Sequence, residues 1–274
     1  MFRRLQSMAR LVFLGTAGSS TVARKQLRSS GGFILQMEEL QFHFDPGPGT
    51  LRKAQECGIS LQHTTALLVS HSHLNHCNDL NLMIEAMTHE GIERRGLLLA
   101  SKSVVQPQDE AHPILTKHHQ QLLEKIIPFE KDRKIGIELI EINALPVDHT
   151  DATAIGFKIF CPKFTLSYPG DTAITPELLE SLVGSDVLVL NVPYPGKQAQ
   201  GKNLDTQAAV QIVSHVKPKL VILTHFGMEM LKADPFLEAR DVQRITGVQT
   251  IAAKDGLAIA LGAGDISQAP VKGF

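Results

Sequence analysis

Cysteine is scarce in this chain. Only Cys57, Cys77 and Cys161 occur in 274 residues, scattered and without a CxxC pair, so no disulfide framework is encoded. That usage suits a reducing compartment, and a cytoplasmic location is expected. Neither sign of charge dominates: 27 Lys+Arg against 28 Asp+Glu leave a formal net charge of -1. The chain therefore lacks the overall basic footprint of a nucleic-acid binder. No apolar run approaches the ~18 residues of a membrane span. In the opening MFRRLQSMARLVFLG the apolar LVFL is shorter than the core of a secretory signal. Met8 is an alternative start there, and residues 1–8 are a candidate disordered lead. No low-complexity linker divides the sequence, so one domain over 1–274 is expected. With 43% hydrophobic and 20% charged residues, it has the composition of a soluble enzyme able to bury a sizeable core.

Short runs rich in Val, Ile and Leu alternate with longer helical patterns, which predicts an α/β layered fold. Strands are expected at 11–15, 32–36, 40–45, 66–70, 96–100, 137–142, 154–160, 163–169, 186–192, 219–225 and 256–261. Helices are expected at 48–57, 78–90, 114–126, 176–183, 205–216 and 235–245. Thr175-Pro176-Glu177 gives the fourth of these an N-cap, a proline at its first position and an acid in its first turn. Paired strands followed by strand–helix units occur twice, before and after residue 150, which predicts two similar halves packed face to face. The polar stretch 101–120 reads as a surface excursion.

The chemistry concentrates in LLVSHSHLNHCNDL, residues 68–81. His71 and His73 are two apart and point the same way on an extended backbone, and His76 follows where a helix begins. Imidazoles converging at a strand end suit Zn²⁺, Mn²⁺ or Fe²⁺; separate surface histidines are the alternative. Three further strand ends carry ligand-type residues: His149 in VDHTDATAIGF, Asp171 in SYPGDTAIT and His225 in VILTHFG. Each has a plain reading of its own, as a turn residue, a cap and a core histidine. Together they form an ordered series at equivalent places in the chain.

That series, HSHLNH with His149, the GDT around Asp171 and LTHFG, resembles the metal-ligand set of metallo-β-lactamase fold hydrolases. LGTAGSS and DPGPGT resemble the supporting glycine turns. LTHFG, GDT and KDGLAIAL are most similar to the ribonuclease Z and phosphodiesterase branch. The resemblance implies a four-layer αββα sandwich with the site at the sheet edges. It implies two divalent ions, zinc first with Mn or Fe as alternatives: one on His71, His73 and His149, the other on position 75, His76 and His225, with Asp171 bridging. A metal-bound hydroxide would then attack a phosphodiester, with Asn75 and Asp171 as catalytic positions. Asp45 is expected either behind a ligand imidazole or simply as a turn-former before Pro46-Gly47.

The family pattern is HxHxDH, and this chain has Asn75 where the aspartate belongs. An amide oxygen is a weaker ligand than a carboxylate and accepts no proton. A weaker second metal site follows, as does the alternative of a catalytically weakened protein acting by binding. No Gly-Pro-rich arm and no histidine after LTHFG match the RNA-processing relatives, and His89 reads as a helix-terminal cation. The expected substrate is a small molecule or short phosphodiester rather than long RNA, with a carboxylic ester or lactone as the alternative. No membrane partner is expected, and a homodimer is left open. Arg94 and Arg95 read as surface groups, and His118 with His119 as a surface pair, with a further metal site as the alternative. His63 and His215 read as structural, and Lys197 or Lys202 as either anion contacts or plain loop.

Overall fold

Apolar runs without alternation demand burial on both faces, and the strands obtain it between two layers. In the computed structural model, residues 9–106, 114–262 and 267–268 are described. The first eight residues, and the 107–113 part of the expected surface excursion, lie outside the described residues.

The strands are β1 (Ala9–Phe13), β2 (Phe33–Met37), β3 (Leu40–Phe44), β4 (Ala66–Val69), β5 (Leu97–Ala100), β6 (Lys125–Pro128), β7 (Lys134–Ile137) and β8 (Ile140–Leu145). They continue as β9 (Gly156–Phe160), β10 (Thr165–Tyr168), β11 (Val187–Asn191), β12 (Leu220–Thr224), β13 (Gln249–Ala252), β14 (Ala258–Leu261) and β15 (Ser267–Gln268). One sheet has the order β15-β14-β1-β2-β3-β4-β5-β6, the other β13-β12-β11-β10-β9-β8-β7. Each joins antiparallel hairpins to a parallel set: β3 to β6 in the first sheet, β10 to β13 in the second. The expected pair of similar halves is this repetition.

Residue parity assigns the layers. In β4, Ala66 and Leu68 face the core between the sheets, and Leu67 and Val69 face the helix Leu80–Met87. Phe33 stacks on Phe44 at 4.4 Å, and both meet the ring edge of Tyr168 from the opposite sheet, at 5.0 and 6.0 Å. On the far side, Leu188, Leu190 and Val221 pack under the helices Thr206–Val216 and Pro235–Thr246. This is a mixed α/β sandwich with helices outside both sheets. Among the described residues no helix is long and apolar enough to cross a membrane.

Most elements fall where the sequence pattern places them. The helix Pro176–Leu182 starts on the Thr175 cap, whose hydroxyl accepts from the Leu178 amide at 3.1 Å. The expected helix 114–126 is corrected: it is only Lys117–Leu122, and the chain then extends into β6, paired parallel with β5. The ladder offered by β5 outweighs helical propensity in a four-residue stretch. The strand expected at 137–142 begins after a turn at Glu138, at Ile140, and β7 and β13 are short edge strands without a periodic signature.

Candidate metal centre

The parallel ladders set the location. β3, β4, β8, β10, β11 and β12 all run the same way, so their C-terminal ends share one edge of the sandwich, where ligands collect in open α/β sheets. Asp45 follows β3, His71 follows β4, His149 lies in the loop after β8, Asp171 follows β10, Asn191 ends β11 and His225 follows β12. Two of these residues hold left-handed backbone, Asp45 at φ 49° and His225 at φ 62°. Such strain persists only where surrounding structure imposes it. The glycine motifs supply that structure. A Cβ on Gly18 would lie 1.9 Å from the His225 carbonyl oxygen, and one on Gly47 would lie 2.1 Å from that of Asn75.

The seven expected ligand positions come together at this edge in two groups. In the first, His73 Nδ1 lies 2.9 Å from His71 Nε2 and 3.2 Å from His149 Nε2. In the second, Asp171 Oδ2 lies 3.2 Å from both His76 Nε2 and His225 Nε2, and 4.0 Å from His71 Nε2. The Asn75 side-chain nitrogen stands 3.4 Å from His225 Nε2. His71, His76 and Asp171 are buried, and His73 is exposed.

The far side of each ring decides which nitrogen is free. Asp45 is a buried acceptor: its carboxylate takes the Ser70 amide at 2.7 Å, the Ser70 hydroxyl at 2.8 Å, the Tyr168 hydroxyl at 2.6 Å and His76 Nδ1 at 2.9 Å. With its own proton spent on Asp45, the Ser70 oxygen accepts from His71 Nδ1 at 2.9 Å. The Lys202 carbonyl likewise accepts from His149 Nδ1 at 3.1 Å. This network assigns the protons to the outer nitrogens of His71, His76 and His149. Their inner nitrogens are then lone pairs aimed at one another or at a carboxylate. Such a set is repulsive unless a cation sits among it. The inner separations fit tetrahedral donors around a metal, where bonds of ~2.0–2.1 Å put neighbours about 3.3 Å apart.

Without a metal, a proton on His76 takes the cation's place beside Asp171. Burial alone would lower the His76 imidazole, but Asp171 and then Asp45 outweigh it and hold it up at about 10. Burial and then the charge of His76 push His71 well below its ordinary range. Burial would raise Asp171, yet His225 and His76 keep its carboxyl well below the usual carboxylate range. Asn191 Nδ2 donates to the other Asp171 oxygen at 2.6 Å and to the Tyr168 oxygen at 3.2 Å, fixing the carboxylate plane.

Asp45 is thus both a turn residue and the acceptor behind a candidate ligand, so its two expected readings are one. Lys202 is committed: its ammonium pairs with Asp148 at 2.6 Å while its carbonyl steadies His149. His119 uses both ring nitrogens, on Glu85 at 3.0 Å and Thr116 at 2.6 Å; His215 faces Glu180 and His89 faces Glu93. The sequence reading missed Ser70, Tyr168 and Asn191, although each is a polar residue closing a buried apolar strand. It also missed Asp151, which accepts from the Ser72 amide at 3.1 Å, the Ser72 hydroxyl at 2.9 Å and the Thr153 amide at 2.9 Å. Asp151 thereby joins the loops that carry His73 and His149.

Known proteins resemble this chain in sequence and fold. The family described as "Beta-lactamase superfamily domain" matches residues 41–226. An uncharacterised protein of Methanocaldococcus jannaschii is 31% identical over 253 residues, 92% of this chain and 94% of that one. Ribonuclease Z of Kineococcus radiotolerans is 27% identical over 220 residues, 76% and 68% of the two chains. The solved metallo-beta-lactamase fold protein YhfI from Bacillus subtilis superposes with a TM-score of 0.76 at 15% identity, covering 93% of this chain and 99% of its own.

Proposed function

The chain belongs to the β-lactamase superfamily and has its metallo-β-lactamase fold, which implies divalent metal binding; from that premise we propose that it is a metal-dependent phosphodiesterase. The observation that carries the proposal is the convergence of imidazole nitrogens on two adjacent points, with Asp171 Oδ2 within the second and 4.0 Å from His71 of the first. His71, His73 and His149 would hold one ion; His76, His225 and Asp171 would hold the other, with Asp171 reaching toward both. Mainly imidazole donors favour zinc, with Mn or Fe as alternatives. When bound, two such ions supply Lewis acidity and activate water near neutral pH.

The chain's own groups do the rest. Asp45 and Ser70 lock the rings of His76 and His71 so that their inner nitrogens stay available, as carboxylate–histidine pairs do behind metal ligands. Asp171, held as a carboxylate, would help hold the ions and accept a hydrogen bond from incoming water. Asn75 contributes a neutral amide at the edge of the second group, so that group carries one anionic side chain, and its ion is the more weakly held. Ribonuclease Z among the relatives favours a phosphodiester over a carboxylic ester. The balanced net charge favours a compact substrate over long RNA.

Metal analysis of protein purified without chelator is expected to give close to two equivalents. Turnover of bis(p-nitrophenyl) phosphate should exceed that of an aryl lactone, disappear on chelation and return with zinc. Preferential lactone turnover would move the assignment to carboxylic esters. Metal without turnover of either substrate would mark a binding protein.

A further inference from the structure

Beside the metal cluster lies a cleft of about 660 Å³. Asn75 belongs to both: it lines this cleft and also a small pocket shared with His76 and His225. Asn75 therefore stands between the cleft and the second donor group. The cleft's other walls come from the helices Ser20–Arg24 and Thr50–Glu56 and from the strand connection at 28–30.

The charges of the cleft do not cancel. Arg24, Arg28, Arg52 and Lys53 line it against the carboxylates of Glu56 and Asp255. Glu56 neutralises part of the helix by pairing with Arg52 at 2.8 Å and Lys53 at 2.5 Å. Asp255 is occupied by the Thr16 hydroxyl at 2.7 Å and the Ser29 amide at 2.6 Å. Arg28 touches only the Thr16 oxygen, at 3.4 Å, and Arg24 has no carboxylate partner among the described residues. The guanidiniums of Arg24 and Arg28, with no carboxylate partner among the described residues, leave the cleft rich in charged donors. Guanidinium forks match phosphate oxygens in geometry as well as charge.

No aromatic ring lines the cleft among the described residues, so base stacking, the usual grip on single-stranded nucleic acid, is missing. Asn75, where the cleft meets the metal cluster, is neutral, and a carboxylate at that position would repel an anion entering the site. We propose that the cleft binds a second phosphate group on the substrate, through Arg24 and Arg28, so that the preferred substrates are phosphodiesters carrying a further phosphate. The proposal rests on the phosphodiesterase reading for the reacting phosphate only; the cleft's affinity for an anion stands apart from turnover.

Titration calorimetry of the full chain with adenosine 3′,5′-bisphosphate and adenosine 5′-monophosphate tests it, because the shared nucleoside cancels. One charge-assisted contact more should make the bisphosphate bind at least about tenfold tighter, with the margin shrinking as salt is raised. Arg24→Gln/Arg28→Gln should close the gap to within about twofold, and Arg24→Lys/Arg28→Lys should keep most of it. If the double variant does not fold, Arg24→Gln alone, at an exposed residue, should still narrow the gap. Equal affinities in the unaltered protein, or a preference that survives the glutamine variants, overturn the proposal. Aryl phosphodiester turnover reads the other claim: selective binding without turnover sinks the phosphodiesterase assignment and leaves the cleft standing, and turnover without selective binding does the reverse.

Discussion

His43 and His76 are both sealed from solvent, and protons bind them in opposite senses. Burial drives His43 down to about 4, and the carbonyl of Gly31, which accepts from its Nε2 at 2.8 Å, only partly offsets the loss. Its other ring nitrogen has no partner. At His76 the same burial is overturned by two carboxylates, Asp171 and Asp45, and the imidazole is held at about 10. A buried histidine that touches no carboxylate is a core residue that stays uncharged. One held between carboxylates is a place for a cation, whether a proton or a metal. Depth therefore does not distinguish structure from function here; the charges around the ring do.

The comparison breaks most severely at Asp45. Asp45→Ala would orphan the Ser70 amide and hydroxyl, the Tyr168 hydroxyl and His76 Nδ1 in one step. Removing one partner of a buried charged network costs about 3–5 kcal/mol. Urea denaturation should show a loss of that size, together with a large drop in retained metal. A variant of near-native stability would mean that Asp45 is a turn-former only.

The next effect in size is pH dependence at His43. Its folded pKa lies below its unfolded one, so the unfolded chain binds the extra proton between pH 6.5 and about 4. The stabilisation is complete above pH 6.5 and is lost as pH falls through that window, by at most about 3 kcal/mol. With chelator present in both samples, His43→Gln, which keeps a donor toward Gly31, should flatten the slope of unfolding free energy over this range. An unchanged slope would place the acid sensitivity elsewhere.

The smallest effect sharpens the contrast between the two donor groups. Asn75→Asp gives the second group another carboxylate and should tighten its ion by about tenfold, the lower end of what changes around metal ligands produce. Competition against a chromophoric chelator measures it. If affinity does not rise, residue 75 is not a ligand position.

Much of this was legible in the chain itself. His71, His73, His76, His149, Asp171 and His225 each follow an apolar run or stand beside one, and in this fold the ends of parallel runs meet at one edge. The residues behind them were harder to see. Tyr168 and Asp45 are joined across 123 residues of sequence, and only the stacked aromatic layer between the sheets brings them together. Asn191 looks like a blemish in DVLVLNV until Asp171 is placed beside it. The start of β6, Lys125 and Ile126, reads as the end of a helix because four residues at a sheet edge carry too little periodicity to outvote a polar helical pattern. The cleft was invisible for the same reason as the Asp45 network: its walls come from segments that sequence distance keeps apart.

The closure of the first sheet has a kinetic consequence. β1 pairs on one side with β2 and on the other with β14, register Ala9↔Leu261, so a central strand waits for one synthesised near the opposite end of the chain. The loop after β1 also bridges to Phe226, next to His225. Such long-range pairings make loop closure slow. As the chain emerges from the ribosome, residues 71–76 are exposed long before His225 exists to complete their surroundings. The donor set is consequently among the last parts of the molecule to assemble, and tight uptake of metal should coincide with the final step of folding rather than precede it.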